Sequence, residues 1–175
     1  QFLQKDSNAY ILSGGTDILI KIRAQKLKDS KLISIRDIKE MQGITILNDG
    51  SIRIGAGTTF TDLINSKVIT ERIFALSEAA KTIGSPEIRN VATIGGNICN
   101  GAVSADSAAI LLSMNASLEI ISPEGQKTLS IHELFVRPGQ TSLSHSDIVT
   151  AIIIQPQDYA NFGACYLKYG KRNAM

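Results

Sequence analysis

Two glycine-bearing segments hold most of the residue types that could do chemistry in this chain. The first, Ser13-Gly14-Gly15-Thr16-Asp17, follows the short apolar run Ala9–Leu12. A strand that ends in a glycine turn and leads into a helix is a sensible phosphate site, because glycine lets the backbone approach the ligand and the helix start offers unpaired N–H donors. A tight turn followed by a helix cap is the other interpretation, and for this segment taken alone it is the favoured one.

The second segment, Thr93-Ile94-Gly95-Gly96-Asn97, offers a hydroxyl, several approachable backbone amides and a carboxamide. We expect it to be a loop, with Asp106 at the start of the helix that follows. Such groups could hold the phosphates and the sugar-like hydroxyls of a large cofactor. Two segments of this kind occur within the first hundred or so residues. A shared ligand explains both better than two unrelated turns do.

Other common chemistries have no candidate residues. Gly55-Ala56-Gly57 begins like a dinucleotide fingerprint but reaches Phe60 where the third glycine would stand, and no phosphate-binding P-loop or nucleophile elbow occurs. Cys99 and Cys165 are too few for an iron–sulfur cluster, and neither histidine stands at zinc-ligand spacing. We therefore expect no metal site and name no catalytic side chain.

Composition bounds the partners and the location. The chain has 175 residues, of which 43% are hydrophobic, and its formal net charge is +2. This charge is too small for the footprint of a nucleic-acid or membrane-surface binder. No apolar run approaches the ~20 residues of a membrane span, and the start, Gln1–Asp6, lacks a signal-peptide pattern. We expect a soluble, cytoplasmic protein that binds no nucleic acid and no membrane.

The periodicity of apolar residues predicts an α+β fold, because helices and strands mix without regular βαβ alternation. Five helices are predicted. The first ends at Phe2–Leu3, and the second begins at Thr16 or Asp17. The other three run from Thr58 or Thr59 through Ile64, from about Glu71 to Ile83, and over Ala105–Leu112. The predicted strands are Ala9–Ser13, Leu32–Ile35, Ile44–Leu47, Ser51–Ile54, Ser117–Ile121, Thr128–Ile131, Ile148–Ile154 and Phe162–Tyr169.

Three stretches of the chain, in order, resemble the FAD-binding subunit of molybdenum hydroxylases, and most closely the bacterial xanthine dehydrogenase type. They are Ile11–Ile18, Ala92–Asp106, and Lys168 with Arg172. The resemblance covers nearly the whole chain. It implies the PCMH-type FAD-binding fold, with FAD between two α+β lobes: residues 1–57 as an N-terminally incomplete first lobe, 58–160 as the second, and 161–175 as the start of a further C-terminal domain. It also implies that the chain is a fragment of a longer subunit.

The resemblance implies a cofactor site, residue by residue. Ile11–Ile18 would wrap the FAD pyrophosphate through backbone amides, Thr93–Asn97 would line the opposite wall, and Val149 and Lys168 would lie near the flavin ring. Ile83 stands where relatives can carry an aromatic residue that covers the flavin. Cys99 is expected to be a buried small residue, with FAD held noncovalently. The implied cofactor-binding residues are Ile11, Leu12, Ser13, Gly14, Gly15, Thr16, Asp17, Ile18, Ile83, Thr93, Gly95, Gly96, Asn97, Asp106, Val149 and Lys168.

The implied activity is that of an oxidoreductase subunit. Electrons would pass from a heterocyclic substrate at a molybdopterin subunit, through an iron–sulfur subunit, to this FAD and on to NAD or another acceptor. Two alternatives stay open from the sequence. One is a phosphate-ligand binding module of the same fold without a redox role, and the other is a stand-alone flavin oxidoreductase.

Overall fold

The computed structural model describes residues 2–169, so Arg172, one of the residues that carry the resemblance, lies outside the described residues. The helices are α1 (Phe2–Lys5), α2 (Ile18–Arg23), α3 (Phe60–Asn65), α4 (Lys67–Arg72), α5 (Phe74–Lys81), α6 (Pro86–Arg89), α7 (Ile94–Cys99), α8 (Asp106–Ser113) and α9 (Ile131–Leu134). The strands are β1 (Ala9–Leu12), β2 (Lys31–Ser34), β3 (Ile44–Ile46), β4 (Ile52–Gly55), β5 (Ser117–Ser122), β6 (Gly125–Ser130), β7 (Phe135–Arg137), β8 (Gln140–Thr141) and β9 (Ile148–Ile154).

The amino-terminal part is a β-α-β unit. Strands β1 and β2 pair in parallel, from Ala9 opposite Lys31 to Leu12 opposite Ser34. Parallel neighbours need a crossover connection, and α2 supplies it. The first glycine segment therefore leaves the carboxyl end of β1 and runs into α2, which is the place where open parallel sheets commonly bind ligands.

A five-stranded antiparallel sheet, in the order β3-β4-β9-β5-β6, forms the second layer. The hairpin of β3 and β4 turns through Asn48–Gly50, as the sequence predicts, and β4 also pairs with β9. The division of the chain into two lobes at residue 57 stays a prediction. The pairing of β4 with β9 joins a strand before residue 57 to a strand after it. A third, two-stranded sheet consists of β7 and β8 around the predicted turn Arg137–Gly139.

The core lies between one face of the five-stranded sheet and the helices. Alternate residues of the central strands, such as Ile54 and Leu118, are fully buried, as expected for strands with one face on a core. Phe60 and Leu63 of α3 and Leu111 of α8 are buried against them. Thr59 caps α3 by accepting a hydrogen bond from the Asp62 backbone N–H, and the Asp62 carboxylate accepts one from the Thr59 N–H. The expected α+β class is thus observed.

Two predicted elements are wrong, and a third has different bounds. The expected helix over Glu71–Ile83 is two helices, α4 and α5, because Ile73 has φ −134° and ψ 55°, outside the helical region. The expected strand Thr128–Ile131 ends at Ser130, whose hydroxyl caps α9. The expected strand Phe162–Tyr169 has no sheet partner among the described residues, and the side chains of Phe162 and Leu167 are exposed.

The second glycine segment is also different from its prediction, since it is the helix α7 rather than a loop. The Thr93 hydroxyl accepts a hydrogen bond from the Gly96 N–H and caps this helix, while Ile94 and Ile98, one turn apart, are fully buried. Gly95 explains the unusual composition. A Cβ there would stand 2.6 Å from the Ala56 Cβ and 2.7 Å from the Ala56 carbonyl oxygen, so only glycine lets α7 approach the end of β4.

The replacement Gly95→Ala tests this close approach. We expect the clash with Ala56 to lower the free energy of unfolding by about 2 kcal/mol, although alanine favours a helix over glycine. Gly163→Ala is the control, because its Cβ would meet no atom within 4 Å. Urea denaturation measures both. Equal stability of Gly95→Ala and the control would contradict the packing described here.

Candidate functional site

The loop after β1 forms the first wall of the site. A Cβ on Gly14 would stand 2.1 Å from the Val91 carbonyl oxygen, so this glycine allows the loop to touch the segment before α7. The backbone N–H groups of Gly14, Gly15 and Thr16 donate no hydrogen bond to any described residue. Asp17 occupies the cap position of α2, but its carboxylate makes no capping hydrogen bond and is exposed. The loop thus presents unpaired backbone donors.

The start of α7 forms the opposite wall. Its position is fixed by two backbone hydrogen bonds, from the Ile94 N–H to the Thr58 carbonyl at 3.0 Å and from the Gly95 N–H to the Ala56 carbonyl at 2.9 Å. The Asn97 carboxamide oxygen accepts a hydrogen bond from the Ser107 hydroxyl at 2.6 Å, which ties this wall to the first turn of α8. The wall is therefore held from two sides by regular elements.

Two side-chain contacts join the walls. The hydroxyl oxygens of Ser13 and Thr93 lie 2.9 Å apart, and Lys21 Nζ donates to the Asn100 carboxamide oxygen at 3.0 Å. Between the walls lies a cavity of about 640 Å³. That volume falls within the ~300–1,000 Å³ typical of small-molecule and cofactor sites.

The cavity brings together most of the residues implied by the resemblance. Those that line it are Ile11, Ser13, Gly14, Gly15, Thr16, Asp17, Ile18, Ile83, Thr93, Gly95, Gly96, Asn97 and Val149. Ala56 and Val149 meet there because β4 and β9 are antiparallel, which places the end of one strand beside the start of the other. Leu12, Asp106 and Lys168 do not line the cavity. A binding role for each of these sixteen residues stays a prediction.

Asp106 belongs to a separate polar cluster beside the second wall. Its carboxylate accepts a hydrogen bond from the Tyr166 hydroxyl at 2.5 Å and lies 2.9 Å from Lys168 Nζ. Burial raises the pKa of Tyr166 to about 12, and the bond to the Asp106 carboxylate adds to the rise. This cluster ties the irregular segment after residue 161 to the first turn of α8, and the neighbouring Ser107 connects it to Asn97.

Sequence reasoning missed several residues of the cavity. Some are neighbours of predicted ones, such as Tyr10, Ala92 and Cys99, whereas Ser144 and Asp147 come from the loop before β9. Nothing in their local sequence marks them, because only the fold brings them to the site. One feature of the sequence could have indicated Lys21. It follows the predicted site residue Asp17 by four residues, which places both on the same face of a helix. The other missed lining residues are Ile20, Leu27, Ile35, Ala56, Ile88, Asn100, Thr141, Leu143 and Ile148.

Asp147 is a buried carboxylate in the lining. Its Oδ2 accepts hydrogen bonds from Lys127 Nζ at 2.9 Å and from the Ser144 N–H at 3.0 Å, while Oδ1 is buried without a partner among the described residues. Burial acts to raise the pKa of Asp147, but the bonds from Lys127 and Ser144 outweigh it and hold that pKa below its usual value. The carboxylate is thus ionised at neutral pH and already paired with a cation.

Cys99 lines the cavity with an unreactive thiol. Burial raises the pKa of Cys99 to about 12, so the nucleophilic thiolate is scarce at neutral pH. Within the described residues no group of three or more His, Cys, Asp or Glu side chains could hold a metal ion. None of the helices within residues 2–169 has the length and apolarity to cross a membrane.

Thiol alkylation followed by mass spectrometry checks the state of Cys99. At pH 8 we expect iodoacetamide to modify the exposed Cys165 about a hundredfold faster than Cys99, since the thiolate is the reacting form. The rate at Cys99 should keep rising with pH up to about 12. Equal rates at the two cysteines would contradict the burial of this thiol.

A family model described as the FAD binding domain in molybdopterin dehydrogenase matches residues 1–157 of the chain. The chain belongs to this family. The match confirms the expected family and its cofactor, FAD. The xanthine dehydrogenase FAD-binding subunit of Escherichia coli O157:H7 is 43% identical over 173 residues, which are 99% of this chain and 59% of that subunit.

Two further proteins extend the comparison. The nicotinate dehydrogenase FAD-subunit of Eubacterium barkeri is 32% identical over 98% of this chain and 58% of its own length. The solved carbon monoxide dehydrogenase of Hydrogenophaga pseudoflava superposes with a TM-score of 0.90 at 29% identity, over 99% of this chain and 60% of the matched chain. The fold class is therefore confirmed, and the chain spans about three fifths of these relatives.

The residues of the cavity fit the cofactor of the family. FAD carries a pyrophosphate, which suits the unpaired backbone donors of Gly14–Thr16, and a large apolar ring system, which suits the side chains of Ile83 and Val149. The close approach at Gly14 keeps a side chain out of the junction between the walls. Both polar and apolar parts of the ligand thus find matching surfaces in one cavity.

Proposed function

We propose that this chain holds FAD in the cavity between the Ser13–Ile18 segment and α7. The carrying observation is that these two glycine segments, far apart in sequence, meet at the Ser13–Thr93 hydrogen bond and line one cavity. The backbone amides of Gly14, Gly15 and Thr16 would bind the pyrophosphate, and Thr93–Asn97 would line its other side. Asp106 and Lys168 would act at the edge of the site, where the Tyr166 hydroxyl orients the Asp106 carboxylate.

The side chains around the flavin end are proposed to orient the ring and exclude water. Ile83 and Val149 are nearly buried and line the cavity, so both can pack on an apolar ring. When bound, FAD supplies hydride and single-electron transfer at its isoalloxazine ring. With the thiol of Cys99 protonated and no histidine in either glycine segment, noncovalent binding is the mode that these residues favour.

We further propose that the whole protein works in a molybdopterin-dependent hydroxylase of the xanthine dehydrogenase type. In this role electrons would travel from iron–sulfur clusters through FAD to NAD or another acceptor, and the partners would be an iron–sulfur subunit and a molybdopterin subunit. The names of the relatives support this assembly, since they are subunits or medium chains of dehydrogenases. The two-lobe division and a cytoplasmic location are part of the same proposal.

A spectrum of the full-length protein tests the cofactor. We expect flavin absorbance in the purified protein, or after reconstitution, and FAD as the species identified by mass after denaturation. Co-purification with a cluster-bearing subunit and a molybdopterin subunit is expected as well. Purification of a flavoprotein alone would favour a stand-alone flavin oxidoreductase, and failure to take up FAD even on reconstitution would refute the proposal in favour of a phosphate-binding module.

The variant Gly96→Asp tests the position of the phosphates. Gly96 lies exposed in the cavity wall, and an aspartate in the first turn of α7 favours the helix dipole. Its Cβ would stand 3.0 Å from the Thr93 Oγ1, so Gly96→Asn, which has the same size and no charge, separates this crowding from the charge. We expect the affinity for FAD, measured by flavin fluorescence, to fall roughly tenfold or more through repulsion of the pyrophosphate. Gly163→Asp adds the same charge in open space and should bind like the wild type. Unchanged binding by Gly96→Asp would place the phosphates elsewhere.

A further inference from the structure

The charges around the cavity are few. Among the described residues that line it, the ionised side chains are Asp17, Lys21 and Asp147. Asp147 is already paired with Lys127, which does not line the cavity. Lys21 is thus the single lysine or arginine in the described lining, and it faces a space that also contains two carboxylates.

Lys21 is held between the two walls by a neutral partner. It projects from α2 on the first wall, and its Nζ donates to the carboxamide oxygen of Asn100, the residue that caps the end of α7 on the second wall. Because Asn100 has no charge, the contact positions the ammonium group without neutralising it. An ammonium group has three donors, so this contact also leaves donors for a ligand.

Lys21 also stands on the helix that follows the segment with the unpaired amides. It follows Asp17 by four residues, with the Lys21 N–H bonded to the Asp17 carbonyl at 3.2 Å, so the two residues stand on the same face of α2. The amides of Gly14–Thr16 can bind phosphate oxygens but supply only partial charges. Without Lys21 the lining would have two carboxylates and no cation, which is a poor environment for a diphosphate.

We infer that Lys21, positioned by Asn100, is the residue that makes this cavity select ligands with a pyrophosphate over uncharged flavins. The inference rests on the proposed function, since it assigns a role at the same site. It predicts an electrostatic contribution that falls with salt and is specific for phosphate-bearing ligands. Asn100 has a positioning role, because it acts on the ligand through the Lys21 ammonium group.

Binding titrations with three probes test the role of Lys21. The probes are FAD, ADP and riboflavin, which separate the pyrophosphate from the flavin ring, and each is measured at low and at high salt. For Lys21→Met we expect about a tenfold loss of affinity for FAD and for ADP, the size expected for one charge-assisted hydrogen bond. Riboflavin binding should not change. Lys21→Arg should restore most of the affinity, and Asn100→Ala should give a smaller loss with the same ligand selectivity.

Lys26→Met is the matched control, because Lys26 is an exposed lysine just after α2 that does not line the cavity. It should bind all three probes like the wild type. The inference is overturned if Lys21→Met weakens riboflavin as much as FAD, if it changes no affinity, or if Lys26→Met has an equal effect. A wild type that binds FAD together with an unaffected Lys21→Met refutes the role of Lys21 alone. A wild type that binds none of the probes refutes the proposed function as well.

Discussion

The contact between the Gly14 backbone and the Val91 carbonyl is the constraint on which the cavity depends. No side chain larger than hydrogen fits at this position, since a Cβ would lie 2.1 Å from the carbonyl oxygen. The approach brings the Ser13 and Thr93 hydroxyls to 2.9 Å across eighty residues of sequence. The cavity between the loop after β1 and the start of α7 therefore depends on this close approach.

The five-stranded sheet fixes the other side of this contact. The Ala56 N–H donates a hydrogen bond to the Thr150 carbonyl of β9, and the Gly95 N–H donates one to the Ala56 carbonyl, each at 2.9 Å. These bonds fix α7 against the sheet. The contact between the Thr93 and Ser13 hydroxyls then fixes the loop after β1 against the start of α7. Sites built on strands and helices hold their geometry better than sites built on free loops, which suits a cofactor that must be oriented.

Much of this arrangement can be predicted from the sequence, and the failures have physical causes. The bounds of β9 are those of one apolar run, Ile148–Ile154. Most residues of this strand are buried, which explains why the run is almost continuously apolar. The helix α7 could not be predicted from propensity, because Gly95 and Gly96 disfavour a helix, while the close approach of Gly95 to Ala56 requires a glycine there. The strand expected at Phe162–Tyr169 fails because extended structure needs a partner that local sequence does not reveal. Lys21, Asn100 and Asp147 meet at the cavity only through long-range topology.

A crystal structure of the protein with bound FAD is the most direct measurement of the central claim, that one dinucleotide touches both glycine segments at once. The account predicts phosphate oxygens within hydrogen-bond distance of the backbone N–H groups of Gly14–Thr16, with the Thr93–Asn97 wall against the same molecule. A structure in which FAD contacts only one of these segments, or lies outside the cavity between them, would contradict it.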